Sequence, residues 1–269
     1  MPNVWQALPL TGSNPSQYLY FQRLEKTGSK EYATHFSKVC EIPAPDIYRA
    51  AFDRWKGSLP AQYVGTKCME ADIRVFIGLS DPSLYETTIS LMLPYGVPYL
   101  PGSACKGLAR RVALAVCGAG KSLMPATLNA LFGDSNENGV GCVIFHDAWW
   151  VPASARVPQA DGFGGNAPDA MKKNLPLVRE VVTPHHKDFM DGKLDKEGSR
   201  MPATPFDNPV PVPQIAAHGK FLFAVEGGAA WTALAMHLLT LGLAGEGIGA
   251  RTPEYGTFGA RETAVAPQA

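Results

Sequence analysis

The segment from Gly245 to Gly259, G-E-G-I-G-A-R-T-P-E-Y-G-T-F-G, sets five glycines around one arginine and one tyrosine, after a helical pattern and before a short strand-like end. Glycine takes positive φ without steric cost and lets another molecule approach the backbone closely. Bare N–H groups at Gly247 and Gly249, with Arg251 and Tyr255 beside them, would suit a phosphodiester chain. The order of elements excludes a dinucleotide fingerprint, which follows a strand and opens a helix. This loop instead closes the helix read over Trp231 to Leu243. By itself it also reads as a helix C-cap and a tight turn.

A second glycine-and-basic element lies earlier. Pro98 to Arg111 reads P-Y-L-P-G-S-A-C-K-G-L-A-R-R, with Ser103 as the expected N-cap of a helix about thirteen residues long. At the helical period Leu108, Val112, Ala115 and Val116 share one face, and Lys106 and Arg110 lie four apart on roughly the opposite one. The helix N-terminus adds free N–H groups and a partial positive charge. A solvated basic face is the plainer reading of this helix, but two such elements in one chain favour an anionic polymer ligand. A Walker loop is excluded, since the G-x-x-x-x-G-K-[ST] spacing is missing.

Lysine plus arginine equal aspartate plus glutamate, 24 against 24, in 269 residues. Any RNA affinity must therefore come from a local patch or from a larger assembly, because the net field supplies no steering. Charged residues make up 18%, with 27 glycines and 23 prolines, which predicts many turns and surface suited to cover by partners. No apolar run reaches membrane-spanning length, and the N-terminus lacks the pattern of a signal peptide, so no membrane association and a cytoplasmic location are expected. Cys40, Cys68, Cys105, Cys117 and Cys142 form no C-x-x-C pair and have no histidine at zinc-finger spacing. Reduced, mostly buried thiols are expected, with no metal and no cofactor.

Residues 1–68 read as an N-terminal extension with a helix around Ile47 to Trp55. D-I-R-V-F-I-G-L-S from Asp72 predicts a strand with Ile73, Val75, Ile77 and Leu79 on one side. A short strand over Thr88 to Leu93, the Ser103 helix and a short helix near Ala126 to Phe132 follow. Cys142 to Val151 reads as one central strand, Gly219 to Glu226 as another, and the last strand lies near Tyr255 to Ala260. Setting the extra strand aside, the order is β-α-β-β-α-β. That predicts an α+β, ferredoxin-like (RRM-like) domain over 69–269, although the aromatic fingerprint of the RRM is absent. Pro152 to Ala217 stands where the hairpin between the middle strands belongs. It far exceeds a turn, since loops beyond about 12–15 residues are usually functional or disordered, and its second half reads as a projecting arm.

Three elements in this order, P-G-S-A-C-K-G, then V-V-T-P-H-H-K-D-F with P-V-P-V-P-Q-I, then G-E-G-I-G-A-R-T-P-E-Y-G-T-F, resemble the RAMP superfamily of CRISPR-associated proteins. The T-P-H element and the L-F-G-D…G-V-G-C-V-I-F-H-D-A-W-W strand are most similar to the sixth-subunit family of Cmr (type III-B) effector complexes. The resemblance runs from about Val75 to Gly259. It implies a RAMP palm that grips a CRISPR guide RNA near its 3′ end, a thumb that meets the complementary target RNA, and contacts with other Cmr backbone and small subunits. Ser103, Lys106, Arg110, Gly249 and Arg251 inherit the RNA-facing role, and the thumb is expected around Thr183 to Lys187, with His185 and Lys187 at the RNA. Arg251 stands where lysine is common in the family, and the aspartate loop of slicing backbone subunits is not evident.

That last departure bears on catalysis. His185 and His186 are adjacent, so in an extended segment they point to opposite sides and cannot serve one phosphate together. A guide-processing RAMP would use a histidine base, for which His185 is the best candidate. The alternative to a non-catalytic RNA-binding subunit is therefore an endoribonuclease, and a pure scaffold is a third class. His146 and Asp147, on a strand beside Trp149 and Trp150, read as core residues rather than as metal ligands.

Overall fold

The computed structural model describes residues 29–79, 88–93, 95–120, 125–133, 139–154, 174–183, 189, 192–195, 197–204, 207, 211–250 and 255–259. Helices α1 (Ser29–Cys40) and α2 (Asp46–Ser58) precede strand β1 (Val64–Ala71), and a hairpin of β2 (Leu91–Met92) and β3 (Val97–Leu100) leads into α3 (Gly102–Gly120) and α4 (Pro125–Phe132). Then come β4 (Val143–Phe145), β5 (Ala148–Trp150), β6 (Leu177–Val182), β7 (Val212–Ala217), β8 (Lys220–Gly227), α5 (Ala229–Gly245) and β9 (Phe258–Gly259).

The main sheet runs β2-β3-β5-β8-β1-β9, with β4 also paired to β8. Counting β4 and β5 as one interrupted strand, the palm strands lie in the order β9, β1, β8, β4/β5, all antiparallel neighbours. With α3 and α5 as the two crossover helices, this is the ferredoxin-like arrangement expected from the sequence. Its centre is β8, where Phe221 to Val225 are all buried because the strand is covered on both faces. Phe258 meets Phe221 and Phe223 edge-on at 5.9 and 5.5 Å. Helices α3 and α5 touch where a Cβ on Gly242 would come within 2.7 Å of Leu108, so glycine sets how closely they approach. Toward the opposite side, α2 stacks Trp55 on Trp149 at 4.8 Å, and the Tyr48 hydroxyl donates to the Trp150 carbonyl at 2.6 Å.

Several local readings need correction. The first strand is Val64–Ala71, ahead of the expected Asp72 start, so residue 68 falls inside β1. Its sequence, V-G-T-K-C-M-E-A, hides it because the burial comes from neighbours rather than from an apolar face. The Ile73 to Leu79 stretch makes isolated bridges, Val75 to Ala217 and Phe76 to Ala250. It is wedged between other elements, so Val75, Phe76 and Ile77 are all buried while Ile73 is exposed. The expected strand over Cys142 to Val151 is broken at His146 and Asp147. Phe145 pairs with Val225 and Trp149 with Leu222, so three residues oppose two and the extra one forms a β-bulge. On α3 the buried face is Cys105, Leu108, Ala109, Val112 and Ala113, whereas Ala115 and Val116, expected on the buried face, are exposed. The last strand is only Phe258–Gly259 among the described residues.

The Pro152 to Ala217 insertion contains a two-stranded ribbon of β6 and β7, in register from Leu177–Ala217 to Val182–Val212. Among the described residues no helix is long and apolar enough to cross a membrane.

Candidate nucleic-acid interface

The loop after α5 is shaped by glycines that no other residue can replace. Gly247, Gly249 and Gly256 have φ of 74°, 95° and 81°, a region side chains disfavour. A Cβ on Gly249 would sit 2.2 Å from the Phe76 carbonyl oxygen, and one on Gly256 would sit 2.1 Å from that of Ile248. Hydrogen bonds lace the loop to the 74–76 segment: Ala250 N–H donates to Phe76 C=O at 3.0 Å and Gly256 N–H to Arg74 C=O at 2.7 Å. Gly247 N–H donates to Gly242 C=O and Ile248 N–H to Gly256 C=O, both at 2.9 Å. The positive φ and close approach expected at Gly249 are present, but what approaches is the chain's own backbone. Of the two N–H groups expected to be bare, that of Gly247 is engaged internally, as are those of Ile248, Ala250 and Gly256.

Beside the loop lies an open groove of about 700 Å³, walled by Ala104, Gly107 and Arg111 of α3, by Gly247 to Ala250, and by Gly78 and Leu79. The two glycine-bearing elements of the sequence thus form opposite walls of one space. Gly107 faces emptiness, since a Cβ there would meet nothing within 4 Å. Arg111, midway along α3, lines the groove and its Nε pairs with Glu246 Oε2 at the C-terminal cap of α5, with both side chains well exposed.

At 3.6 residues per turn Ala104, Gly107 and Arg111 make one stripe toward the groove. Ser103 and Arg110 flank that stripe and are exposed, while half-buried Lys106 lies on the side turned away. The Lys106–Arg110 pair alone does not point to Arg111; the i, i+3, i+7 spacing of Ala104, Gly107 and Arg111 is the signal that does. Ser103 is not the cap. The helix begins at Gly102, whose N–H donates to Asp147 Oδ1 at 2.7 Å, so the bulge supplies the cap from another strand. His146 Nε2 lies 3.0 Å from Glu226 Oε2 with both side chains partly exposed, so it is a paired sheet residue and not a core one. Among the described residues no group of three or more histidine, cysteine or acidic side chains is placed to hold a metal ion.

Tyr255 is half-buried and meets Phe76 edge-on at 5.1 Å, in a cluster with Val182 and Ala216 that ties the loop to the base of the ribbon. Thr183 is exposed directly after β6, while His185, Lys187 and Arg251 lie outside the described residues. Farther along the insertion the Arg200 guanidinium lies 4.3 Å from the Phe189 ring centroid and donates to the Phe189 carbonyl. Arg74 Nε pairs with Glu180 Oε2 at 3.0 Å, which joins the 74–76 segment to β6. The described cysteines are free: burial pushes the Cys40 and Cys105 thiols up to about 12, whereas Cys142 is exposed, contrary to the expectation of mostly buried thiols.

The ribbon inserted between the middle palm strands packs on α1 and adds Leu177, Ile215 and Ala217 to the main core, so it is no free projecting arm there. The chain belongs to the RAMP superfamily, whose family model matches residues 74–253. Over 94 residues it is 32% identical to "CRISPR system Cmr subunit Cmr6" of Pyrococcus furiosus, covering 35% of this chain and 28% of that relative. The chain thus matches little more than a quarter of that relative's length. A structure described as a type III-B Cmr-beta complex bound to cognate target RNA contains a chain of similar fold, with a TM-score of 0.57 at 20% identity over 89% of this chain and 77% of that one.

Proposed function

We propose that this chain is a non-catalytic RNA-binding subunit of a type III-B CRISPR (Cmr) effector complex. In the place of the sixth subunit, it would hold the 3′ part of the guide RNA and its duplex with target RNA. The groove between α3 and the glycine loop carries this reading: a helix glycine with nothing beside it and an exposed arginine line an open space large enough for a backbone. A glycine inside a helix costs about 0.5–1 kcal/mol relative to alanine, and no contact among the described residues explains it at Gly107. The match to the P. furiosus Cmr subunit supports the choice of complex. Balanced charge, 24 against 24, fits a subunit that binds RNA weakly alone and firmly beside its neighbours. The partners are then guide RNA, target RNA and the adjoining Cmr backbone and small subunits.

The test is RNA retention by the reconstituted complex as a function of salt. Each lost phosphate contact on a single strand flattens the log–log slope by about 0.7, so changing Arg110, Arg111 and Arg251 to alanine should lower it by about 2, whereas Lys106→Ala, on the side of α3 turned away from the groove, should add little. An unchanged slope in an intact complex sinks the assignment. In the same complex His185→Ala should leave the pattern of target fragments as it was. Disappearance of one specific product would place His185 in an active site and favour the endoribonuclease reading.

A further inference from the structure

Helices α3 and α5 meet at Gly242, where an added Cβ would come within 2.7 Å of Leu108 and 2.9 Å of Val112. Arg111 follows Leu108 by three residues and Glu246 follows Gly242 by four, so this close crossing fixes the backbone from which each charged side chain grows. Glu246 is held further as the C-cap of α5, with its N–H donating to the Gly242 carbonyl at 2.8 Å. A carboxylate there faces the negative end of the helix dipole, and α5 carries no basic residue in its last turn. What it meets instead is Arg111 of the other helix, whose Nε donates to Glu246 Oε2. Among the described residues the guanidinium bonds through Nε alone, which leaves its Nη1 and Nη2 edge for a ligand in the groove that Arg111 lines.

We propose that Glu246 is a positioning residue: by holding Nε, it sets the Nη1–Nη2 edge of Arg111 to grip one phosphate of a single RNA strand, a role that rests on the groove being an RNA site. Two terminal nitrogens in one plane match two phosphate oxygens. Side-chain exposures of 58% for Arg111 and 37% for Glu246 make the pair a weak contributor to stability. Its consequence is direction. A free arginine samples many rotamers, whereas an anchored one is already turned to its ligand when the strand arrives. Charge alone points the other way, because a carboxylate beside a phosphate site repels the strand. On electrostatics by itself, removing Glu246 tightens RNA binding; positioning requires the opposite sign.

Retention of guide RNA by the reconstituted complex at fixed salt reads that sign. Glu246→Ala removes the acceptor and should weaken retention about two- to fivefold, the range that exposed charge pairs carry, even though it removes a negative charge. Glu246→Gln keeps an oxygen for Nε and sheds the repulsion, so it should retain RNA at least as well as wild type. In an Arg111→Ala complex, adding Glu246→Ala should cause no further loss. Urea unfolding midpoints of all these variants should match wild type. Where Arg111→Ala weakens retention, three results overturn the proposal and leave the groove standing: unchanged or tighter binding in Glu246→Ala, a Glu246→Gln variant as weak as Glu246→Ala, or the same loss from Glu246→Ala once Arg111 is gone. A loss in Glu246→Ala that tracks a lowered unfolding midpoint makes the residue structural and overturns it too. Arg111→Ala without effect overturns both this role and the groove as an RNA site.

Discussion

Gly249 and Gly107 both line the groove, yet they answer to different neighbours. Gly249 is fixed by its own chain, through positive φ and the Phe76 carbonyl. Gly249→Val should therefore destabilise the isolated protein by about 2 kcal/mol or more, measured by urea unfolding without RNA; wild-type stability would mean the loop tolerates a side chain. Gly107→Ala should do the reverse, raising stability by about 0.5–1 kcal/mol while weakening RNA retention in the complex. A variant equal to wild type in retention would show that nothing approaches Gly107. The thiols report on burial in another way. Cys40 and Cys105 are raised from 9.0 to about 12 by burial, so the unfolded chain loses these protons first as pH rises. Their stabilisation is complete below pH 9 and disappears toward pH 12, at up to about 1.4 kcal/mol per pH unit for each thiol. Unfolding free energy should thus fall steeply above pH 9, and serine at both positions should flatten that fall. The need for glycine at position 249 was legible in the sequence from composition alone. The identity of its neighbour was not, because the Phe76 carbonyl comes from a distant segment.

Helix α3 shows what can be read at the level of elements. Its existence and approximate limits followed from the spacing of apolar residues, as did those of α5. Its cap did not, since Asp147 reaches Gly102 from a bulge forty-five positions away. The bulge falls at His146 and Asp147, the one polar pair in the run C-V-I-F-H-D-A-W-W-V, and that pair is its only trace in the sequence. Asp147→Ala should cost about 1 kcal/mol, with Asp147→Asn milder because it keeps an acceptor. Thermal unfolding of the two variants checks this, and equal stabilities of wild type and Asp147→Ala would show that the bond does not hold the helix start. Strand β1 was misplaced for a related reason. Its burial depends on α5, β8 and β9, none of which lies near it in sequence, while the apolar Ile73 to Leu79 stretch imitated a strand and is instead a wedge.

Across the whole molecule the 74–76 segment joins palm, loop and ribbon. Its carbonyls take the loop's N–H groups, and the Arg74 side chain takes Glu180 on β6 with side-chain exposures of only 12% and 20%. Arg74→Met should leave Glu180 partly buried and unpaired, costing about 1–3 kcal/mol and speeding protease cleavage in the 177–217 ribbon before the palm. Changing both residues to Met should recover most of the loss. Cleavage kinetics unaltered by Arg74→Met would mean that the ribbon is held by its backbone pairing alone. The palm order and the presence of an insertion between its middle strands were legible in the sequence. The joint between them was not, because it rests on two charges 106 residues apart.

The central strand also sets a schedule for folding. Val64 pairs with Glu226, and β1, β4 and β5 meet only through β8. Contacts so distant in sequence fold slowly, and a chain leaving the ribosome N-terminus first would carry its early strands without their common neighbour until residue 220 had emerged. Through most of synthesis the first strand and the first crossover helix have no completed palm on which to settle. A protein built this way depends for its yield on keeping that interval free of wrong partners.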